Sequence, residues 1–145
     1  IMKHDILWFK TAEPRVRFDL KQITGTVPII KAYAGMGIGD GIISLLAPEK
    51  IDGVVIEALG AGNLPPLAAR EIKSLMDKGV PVVLVSRCFN GIAEPVYAYE
   101  GGGVKLQEAG VMFIKELNAP KARLKLLIAL SAGLEGQELK DYIEG

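Results

Sequence analysis

The sequence predicts an α/β fold: a three-layer α/β/α sandwich around a mainly parallel sheet of about four strands. Short runs of β-branched residues alternate along the chain with runs whose apolar residues recur at helical spacing. The run Pro81-Val-Val-Leu-Val-Ser86 is apolar at successive positions, which is typical of a strand buried on both faces. At 145 residues and 50% hydrophobic, the chain can bury a core of its own. Repeated strand and helix units with short links therefore place helices on both faces of one sheet.

Four strands are predicted between residues 27 and 114. Each combines β-branched residues with flanking glycine or proline, and they lie at 27–33, 53–59, 81–86 and 111–114. Residues 1–27 mix aromatic and charged residues without a period, so we expect an interdomain linker at 1–27 and the α/β domain at 28–145. Ile1 precedes Met2, which is unusual for a translation start, so we expect a fragment of a longer protein.

Helices are predicted between and after these strands. A short helix is expected from Asp40 to Pro48, with the Asp40 side chain as its N-cap. The other predicted helices lie at about 66–78, ending at a Gly79 C-cap, near 104–109, at 119–132 behind an Asn118 N-cap, and at 135–145. In the helix at 66–78 the apolar residues share one face, which we expect to pack on the sheet.

Charge and residue counts exclude several classes of function. Seventeen basic and seventeen acidic residues cancel, so we expect no nucleic-acid partner and no membrane partner. His4 is the only histidine and Cys88 the only cysteine, so a His-based triad and a zinc tetrad are excluded. We therefore predict no catalytic residue in this chain, no metal and no cofactor.

The same counts indicate a cellular compartment. A single cysteine cannot form an internal disulfide and fits a reducing environment, so the expected location is cytoplasmic. No apolar run approaches the ~20 residues that span a bilayer, and the first residues lack the hydrophobic stretch of a signal peptide.

The most informative loop follows the second strand. Gly60 and Gly62 permit backbone conformations that other residues resist, and two prolines then suit a first helical turn. Asn63 is thus presented at the C-terminal edge of the sheet, where open α/β sheets bind ligands. Two roles remain open for it: a substrate contact through its amide, or a helix cap, which the spacing alone favours.

Two further loops carry polar candidates. Arg87 follows the third strand and is expected either to hold a carboxylate or to pair with an acid such as Glu57. Cys88 is expected to be a buried packing residue, with ligand contact as the alternative. Tyr97, Tyr99 and Glu100 precede three glycines and offer hydroxyl and carboxylate groups, either to a small polar ligand or to solvent.

Five motifs in order carry a family resemblance. They are Ile30-Lys-Ala-Tyr-Ala-Gly35, Val55-Ile-Glu-Ala-Leu-Gly-Ala-Gly-Asn-Leu-Pro-Pro66, Val85-Ser-Arg-Cys88, Tyr99-Glu-Gly-Gly102 and Pro120-Lys-Ala-Arg-Leu-Lys-Leu126. Together they resemble the Rossmann-like C-terminal domain of bacterial-type L-asparaginases, especially cytoplasmic type I forms, over residues 28–133. The Thr-Gly-Gly-Thr and His-Gly-Thr-Asp-Thr signatures, which carry the family's catalytic threonines, are absent. The chain therefore resembles the non-catalytic half of the enzyme.

The resemblance implies a two-domain amidohydrolase that converts L-asparagine and water to L-aspartate and ammonia. The threonine chemistry would lie on an N-terminal asparaginase domain, and this chain would complete the substrate site of a homo-oligomer. Asn63 would approach the substrate's α-amino group, with Tyr97, Tyr99 or Glu100 nearby. Some cytoplasmic relatives bind asparagine as an effector near the cysteine loop, which makes Arg87 and Cys88 effector candidates.

Two alternatives belong to other classes of function. An asparaginase-like subunit of a glutamyl-tRNA amidotransferase shares this half, although a net charge of zero gives tRNA contact no support. A non-catalytic amino-acid-binding or assembly module would bind a small ligand without turnover. In every case this chain alone is expected to have no asparaginase activity.

Overall fold

The computed structural model of the protein describes residues 16–37 and 40–145. Residues 1–15 of the predicted linker lie outside the described residues. In chain order the elements are β1 (Ile29–Lys31), β2 (Val54–Ala58), α1 (Pro66–Met76), β3 (Val82–Ser86), α2 (Gly103–Glu108), β4 (Met112–Phe113), α3 (Ala119–Ser131) and α4 (Gly136–Glu144), with a 3-10 turn at Pro48–Lys50. All four predicted strands are present, each shorter than its sequence pattern.

The strands form one parallel sheet in the order β1-β2-β3-β4. Val55 at its centre pairs with Ile29 on one side and Val83 on the other. Each strand lies next to the one before it in the chain, and the sheet is built in one direction from β1 to β4. Because crossover connections between parallel strands are right-handed, connections that all move in one direction lie on the same face of the sheet. Accordingly α1 and α2 cover one face, while α3 and α4 cover the other. The predicted three-layer α/β/α sandwich is confirmed.

The sheet divides the core into two layers. Val54 and Ile56 face α1, whereas Val55 and Val83 face α3, and all four are fully buried. This explains why β2 and β3 are apolar at successive positions: alternate side chains enter opposite layers, and both layers are built of apolar side chains. In α1 the apolar face predicted from the sequence is buried, as Ala68, Ile72 and Leu75 show.

The predicted helix from Asp40 to Pro48 is wrong. Residues 42–45 form only a hydrogen-bonded turn. The Asp40 carboxylate accepts hydrogen bonds from the Tyr33 hydroxyl and, at 3.0 Å, from the Gly37 N–H, so it closes the preceding loop. Its hydrogen bond from Ile42 N is long, at 3.4 Å. An aspartate committed to the loop before it is a weak cap for a helix after it.

Two predictions about helix ends differ in outcome. The predicted Gly79 C-cap of α1 is wrong: the C-cap residue is Asp77, and Gly79, with φ of +88°, turns the chain two residues beyond it. The predicted Asn118 cap is confirmed, since its Oδ1 accepts a hydrogen bond from Lys121 N at 3.2 Å.

Replacing Asn118 by alanine should lower the free energy of unfolding by about 1 kcal/mol, because the first turn of α3 loses its side-chain acceptor. Chemical denaturation of the variant and the wild type measures the difference. Asn118→Asp is the matched control, since it keeps an acceptor oxygen and should retain most of the stability. Equal losses in the two variants would show that the cap does not stabilise α3.

Candidate functional site

The loops that follow β1, β2 and β3 lie at the same, C-terminal edge of the sheet, because the strands are parallel. The loop after β2 is closed by Leu59 and Asn63, whose backbones exchange two hydrogen bonds of 2.9 Å. Gly62 has φ of +108°, and a β-carbon there would lie 2.8 Å from Cε1 of Phe113. Only glycine lets the loop pack this closely on the sheet.

Asn63 does not cap the helix that follows it. The N-cap residue of α1 is Pro65, which makes no side-chain cap hydrogen bond. Asn63 Oδ1 instead accepts a hydrogen bond from Gly103 N at 3.2 Å, and Gly103 is the first residue of α2. The capping role favoured by spacing is therefore wrong for α1. Pro65 and Pro66 carry no N–H, so the start of α1 has few donors for the Asn63 side chain. The N–H of Gly103, at the start of α2, has no acceptor within its own helix and lies beside Asn63.

The contact with Gly103 fixes the orientation of the Asn63 amide. A backbone N–H is a donor, so the atom facing it is the amide oxygen and not the amide nitrogen. Nδ2 then points away from Gly103 and forms no hydrogen bond with another described residue. Oδ1 keeps a second lone pair. The site therefore presents one donor group and one acceptor lone pair from a half-buried side chain.

The loop after β3 is joined to the Asn63 loop along its length. Glu94 N donates to Ala61 O, and Leu64 N donates to Gly101 O, each at 2.8 Å. Tyr97 and Tyr99 lie between these two points, half exposed, with ring centroids 6.0 Å apart. The structure thus brings the predicted residues Asn63, Tyr97 and Tyr99 onto two adjoining loops.

Glu100 is engaged by a residue that the sequence analysis missed. Arg70 on α1 donates from Nε to Glu100 Oε1 at 2.6 Å and from Nη2 to Oε2 at 3.1 Å. These bonds lower the pKa of Glu100 below its usual value. An open depression of about 250 Å³ lies beside the pair. No local sequence pattern marks Arg70 as a site residue, because its partner Glu100 lies 30 residues further along the sequence.

Acidification is expected to remove the stabilisation that this pair provides. The pKa of Glu100 is lower in the folded chain than its ordinary value of 4.5. Such a group stabilises the fold at pH above its unfolded pKa, and the contribution is lost as pH falls through the folded pKa. Denaturation at neutral pH should therefore find wild type more stable than Glu100→Gln, by a small and salt-sensitive margin since both side chains are exposed. A difference in stability between the two proteins that does not shrink at all as the pH is lowered from neutral to the acid range would contradict this.

Arg87 and Cys88 follow β3 as predicted, but their surroundings differ from those expected. Arg87 Nη1 donates to Ala32 O at 2.7 Å, tying the exit of β3 to the exit of β1. Glu57 pairs instead with Lys31 on the neighbouring strand, at 3.5 Å, so the expected pairing of Arg87 with Glu57 is wrong. Cys88 is exposed rather than buried. Its N–H donates to Ser86 Oγ at 3.1 Å, in the loop that follows β3.

Comparison with known proteins places the chain in a family. The Glutaminase/Asparaginase C-terminal domain family matches residues 26–143. A probable L-asparaginase of Deinococcus radiodurans is 44% identical over 133 residues, which are 92% of this chain and 39% of that protein. One subunit of the glutamyl-tRNA(Gln) amidotransferase of Pyrococcus furiosus is 33% identical over 132 residues, 90% of this chain and 29% of that protein.

The fold agrees with these sequence matches. The crystal structure of L-asparaginase I from Vibrio cholerae superposes with a TM-score of 0.72 at 25% identity, covering 92% of this chain and 40% of that one. This chain thus spans 40% or less of the length of each of these proteins. A match over residues 26–143, on a four-stranded parallel sheet with helices on both faces, shows that the chain belongs to the Glutaminase/Asparaginase C-terminal domain family.

Proposed function

We propose that this chain is the C-terminal domain of an L-asparaginase, an amidohydrolase that converts L-asparagine and water to L-aspartate and ammonia. The observation that carries the proposal is the Asn63 amide, held in one orientation at the C-terminal edge of the sheet by Gly103. An amide in a fixed orientation distinguishes donors from acceptors on a small ligand, as recognition of an amino acid requires. The 44% identity to a probable L-asparaginase supports the choice of substrate.

In this proposal the two halves of the enzyme divide the work. The catalytic threonines belong to an N-terminal asparaginase domain, and this chain binds the α-substituents of the substrate. The second lone pair of Asn63 Oδ1 accepts from the α-ammonium group, and Nδ2 donates to an acceptor beside it. Tyr97 and Tyr99 border the site from the adjoining loop. Glu100 has carboxylate lone pairs left after pairing with Arg70, and these are available to the ammonium group.

The organisation of the whole protein is also part of the proposal. Residues 1–27 would link the N-terminal domain to this domain at 28–145, and the enzyme would be a homo-oligomer in which this domain completes a neighbour's site. Arg87 and exposed Cys88 remain proposed effector contacts. Among the described residues, no helix is long and apolar enough to cross a membrane. A cytoplasmic location is proposed from the single cysteine, which has no partner for an internal disulfide.

A second candidate function is that of an asparaginase-like component of a glutamyl-tRNA amidotransferase. It is supported by the 33% identity to the amidotransferase protein of Pyrococcus furiosus. The net charge of zero argues against direct contact between this chain and tRNA, although another protein of the complex would supply that contact.

Ammonia release by the purified full-length protein tests the proposal. We expect release from L-asparagine by the full-length protein and none by this chain alone. L-Glutamine and a no-substrate sample are run in parallel. Release that requires a copurifying tRNA-binding protein would favour the amidotransferase. Saturable amino-acid binding without turnover by the full-length protein would favour a binding module.

A further inference from the structure

Three contacts connect the outer face of α1 to the Asn63 amide. Arg70 holds Glu100 through two hydrogen bonds, of 2.6 and 3.1 Å. The next residue, Gly101, accepts from Leu64 N at 2.8 Å. Two residues later, Gly103 N donates to Asn63 Oδ1 at 3.2 Å. The segment from Glu100 to Gly103 is therefore held by an ion pair at Glu100, by backbone hydrogen bonds at Gly101 and Gly102, and by Asn63 at Gly103.

The glycine segment, residues 101–103, has little intrinsic stiffness. Glycine has the largest conformational freedom of any residue in an unrestrained chain. An external restraint therefore reduces the conformational freedom of the glycine segment more than the same restraint would in a segment of other residues. The bidentate geometry of an arginine with a carboxylate restrains direction as well as distance.

Neighbouring ion pairs do not provide the same restraint. Lys73 on α1 pairs with Asp77, the C-cap residue of that helix, at 2.8 Å, and Lys105 pairs with Glu108 inside α2, at 2.7 Å. Neither pair joins one helix to another segment. Of the cations that line the depression beside Glu100, Arg70 is the one whose described ion pair joins α1 to the glycine segment.

We propose that Arg70 is a positioning residue for the substrate site, which acts by holding Glu100 so that the Gly103 N–H stays directed at the Asn63 amide. Its effect on catalysis rests on the proposed function, whereas its effect on the Gly103 N–H does not. Without Arg70 the glycine segment samples more conformations and the Asn63 amide loses its fixed orientation. Substrate then meets a competent site in a smaller fraction of molecules, which raises KM more than it lowers kcat.

Hydrogen exchange at Gly103 in the full-length protein tests the positioning directly. Arg70→Ala should speed exchange of the Gly103 N–H about fivefold. This factor corresponds to the upper end of the stabilisation that an exposed ion pair provides. Lys73→Ala is the matched control, because it removes an equally exposed ion pair from the same helix, and it should leave Gly103 exchange unchanged. Arg70→Lys should be intermediate, since an ammonium cannot donate in the bidentate geometry. The charge-swapped variant Arg70→Glu with Glu100→Arg should restore slow exchange.

Kinetics on the same variants provide the second readout. Arg70→Ala should raise KM for L-asparagine about fivefold with little change in kcat and in thermal stability, and Lys73→Ala should match wild type. Gly103 exchange that is equal in Arg70→Ala and wild type, or equally fast in Lys73→Ala, would overturn the positioning role. Failure of wild type to hydrolyse L-asparagine would instead overturn the proposed function, and Gly103 exchange would still decide the role of Arg70.

Discussion

Replacing Asn63 by alanine in the full-length protein is expected to lower kcat/KM for L-asparagine about 10- to 100-fold. The variant removes a hydrogen bond to the charged α-ammonium group, and such bonds contribute about 1.5–3 kcal/mol. It also leaves the first N–H of α2 without its acceptor. Steady-state ammonia release at several substrate concentrations measures the effect.

A matched set of variants separates substrate contact from loop support. Asn63→Asp keeps an oxygen for Gly103 but replaces the Nδ2 donor by a second acceptor, so it should retain the fold and still lose activity if Nδ2 donates to the substrate. Asn118→Ala removes a similar cap from α3, and its activity should stay within about twofold of wild type. If Asn63→Ala changes activity no more than Asn118→Ala does, Asn63 has only a capping role.

The second large effect is expected from Gly101→Ala. Gly101 has φ of +87°, and a β-carbon there would collide with the backbone oxygen of Leu64. Alanine in this conformation costs about 1–2 kcal/mol, and relief of the collision requires the hydrogen bond from Leu64 N to Gly101 O to break. We expect a loss of about 3 kcal/mol or more in the free energy of unfolding, measured by chemical denaturation.

Gly60→Ala is the control for backbone conformation alone. Gly60 has φ of +53°, and nothing lies within 4 Å of a β-carbon built there. Its replacement should therefore cost only the left-handed conformation, about 1–2 kcal/mol. Similar losses at the two positions would show that the loop around Gly101 moves aside freely, and that the close approach to Leu64 is not required.

The sequence analysis located the strands because their signal is local. A run of β-branched residues such as that in β3 needs no partner to be recognised, and parallel pairing follows from the helical segments between runs. The helix expected after Asp40 failed for the opposite reason. Tyr33 and Gly37 both donate hydrogen bonds to the Asp40 carboxylate, and their positions depend on how the loop after β1 closes.

The candidate site was predictable in its position but not in its contacts. The glycines and prolines around Asn63 located it at the sheet edge, yet its partner Gly103 lies 40 residues further along the chain. Arg70 and Glu100 are separated by 30 residues. Cys88 was expected in the core because free cysteines commonly pack there, but it lies exposed in the loop after β3, where its N–H donates to Ser86 Oγ. Contacts of this kind arise from the fold and have no period along the sequence.

The order of the elements along the chain also determines when each layer of the core is covered during synthesis. The face of the sheet that carries Val55 and Val83 is covered by α3 and α4, which follow every strand in the chain. A nascent chain synthesised to Ile114 contains all four strands, while that apolar face is still open to water. At a translation rate of about 5–20 residues per second, the stretch from residue 115 to Ile143 takes about 1.5–6 s to make. During that interval the uncovered apolar face favours aggregation with neighbouring chains and binding by chaperones.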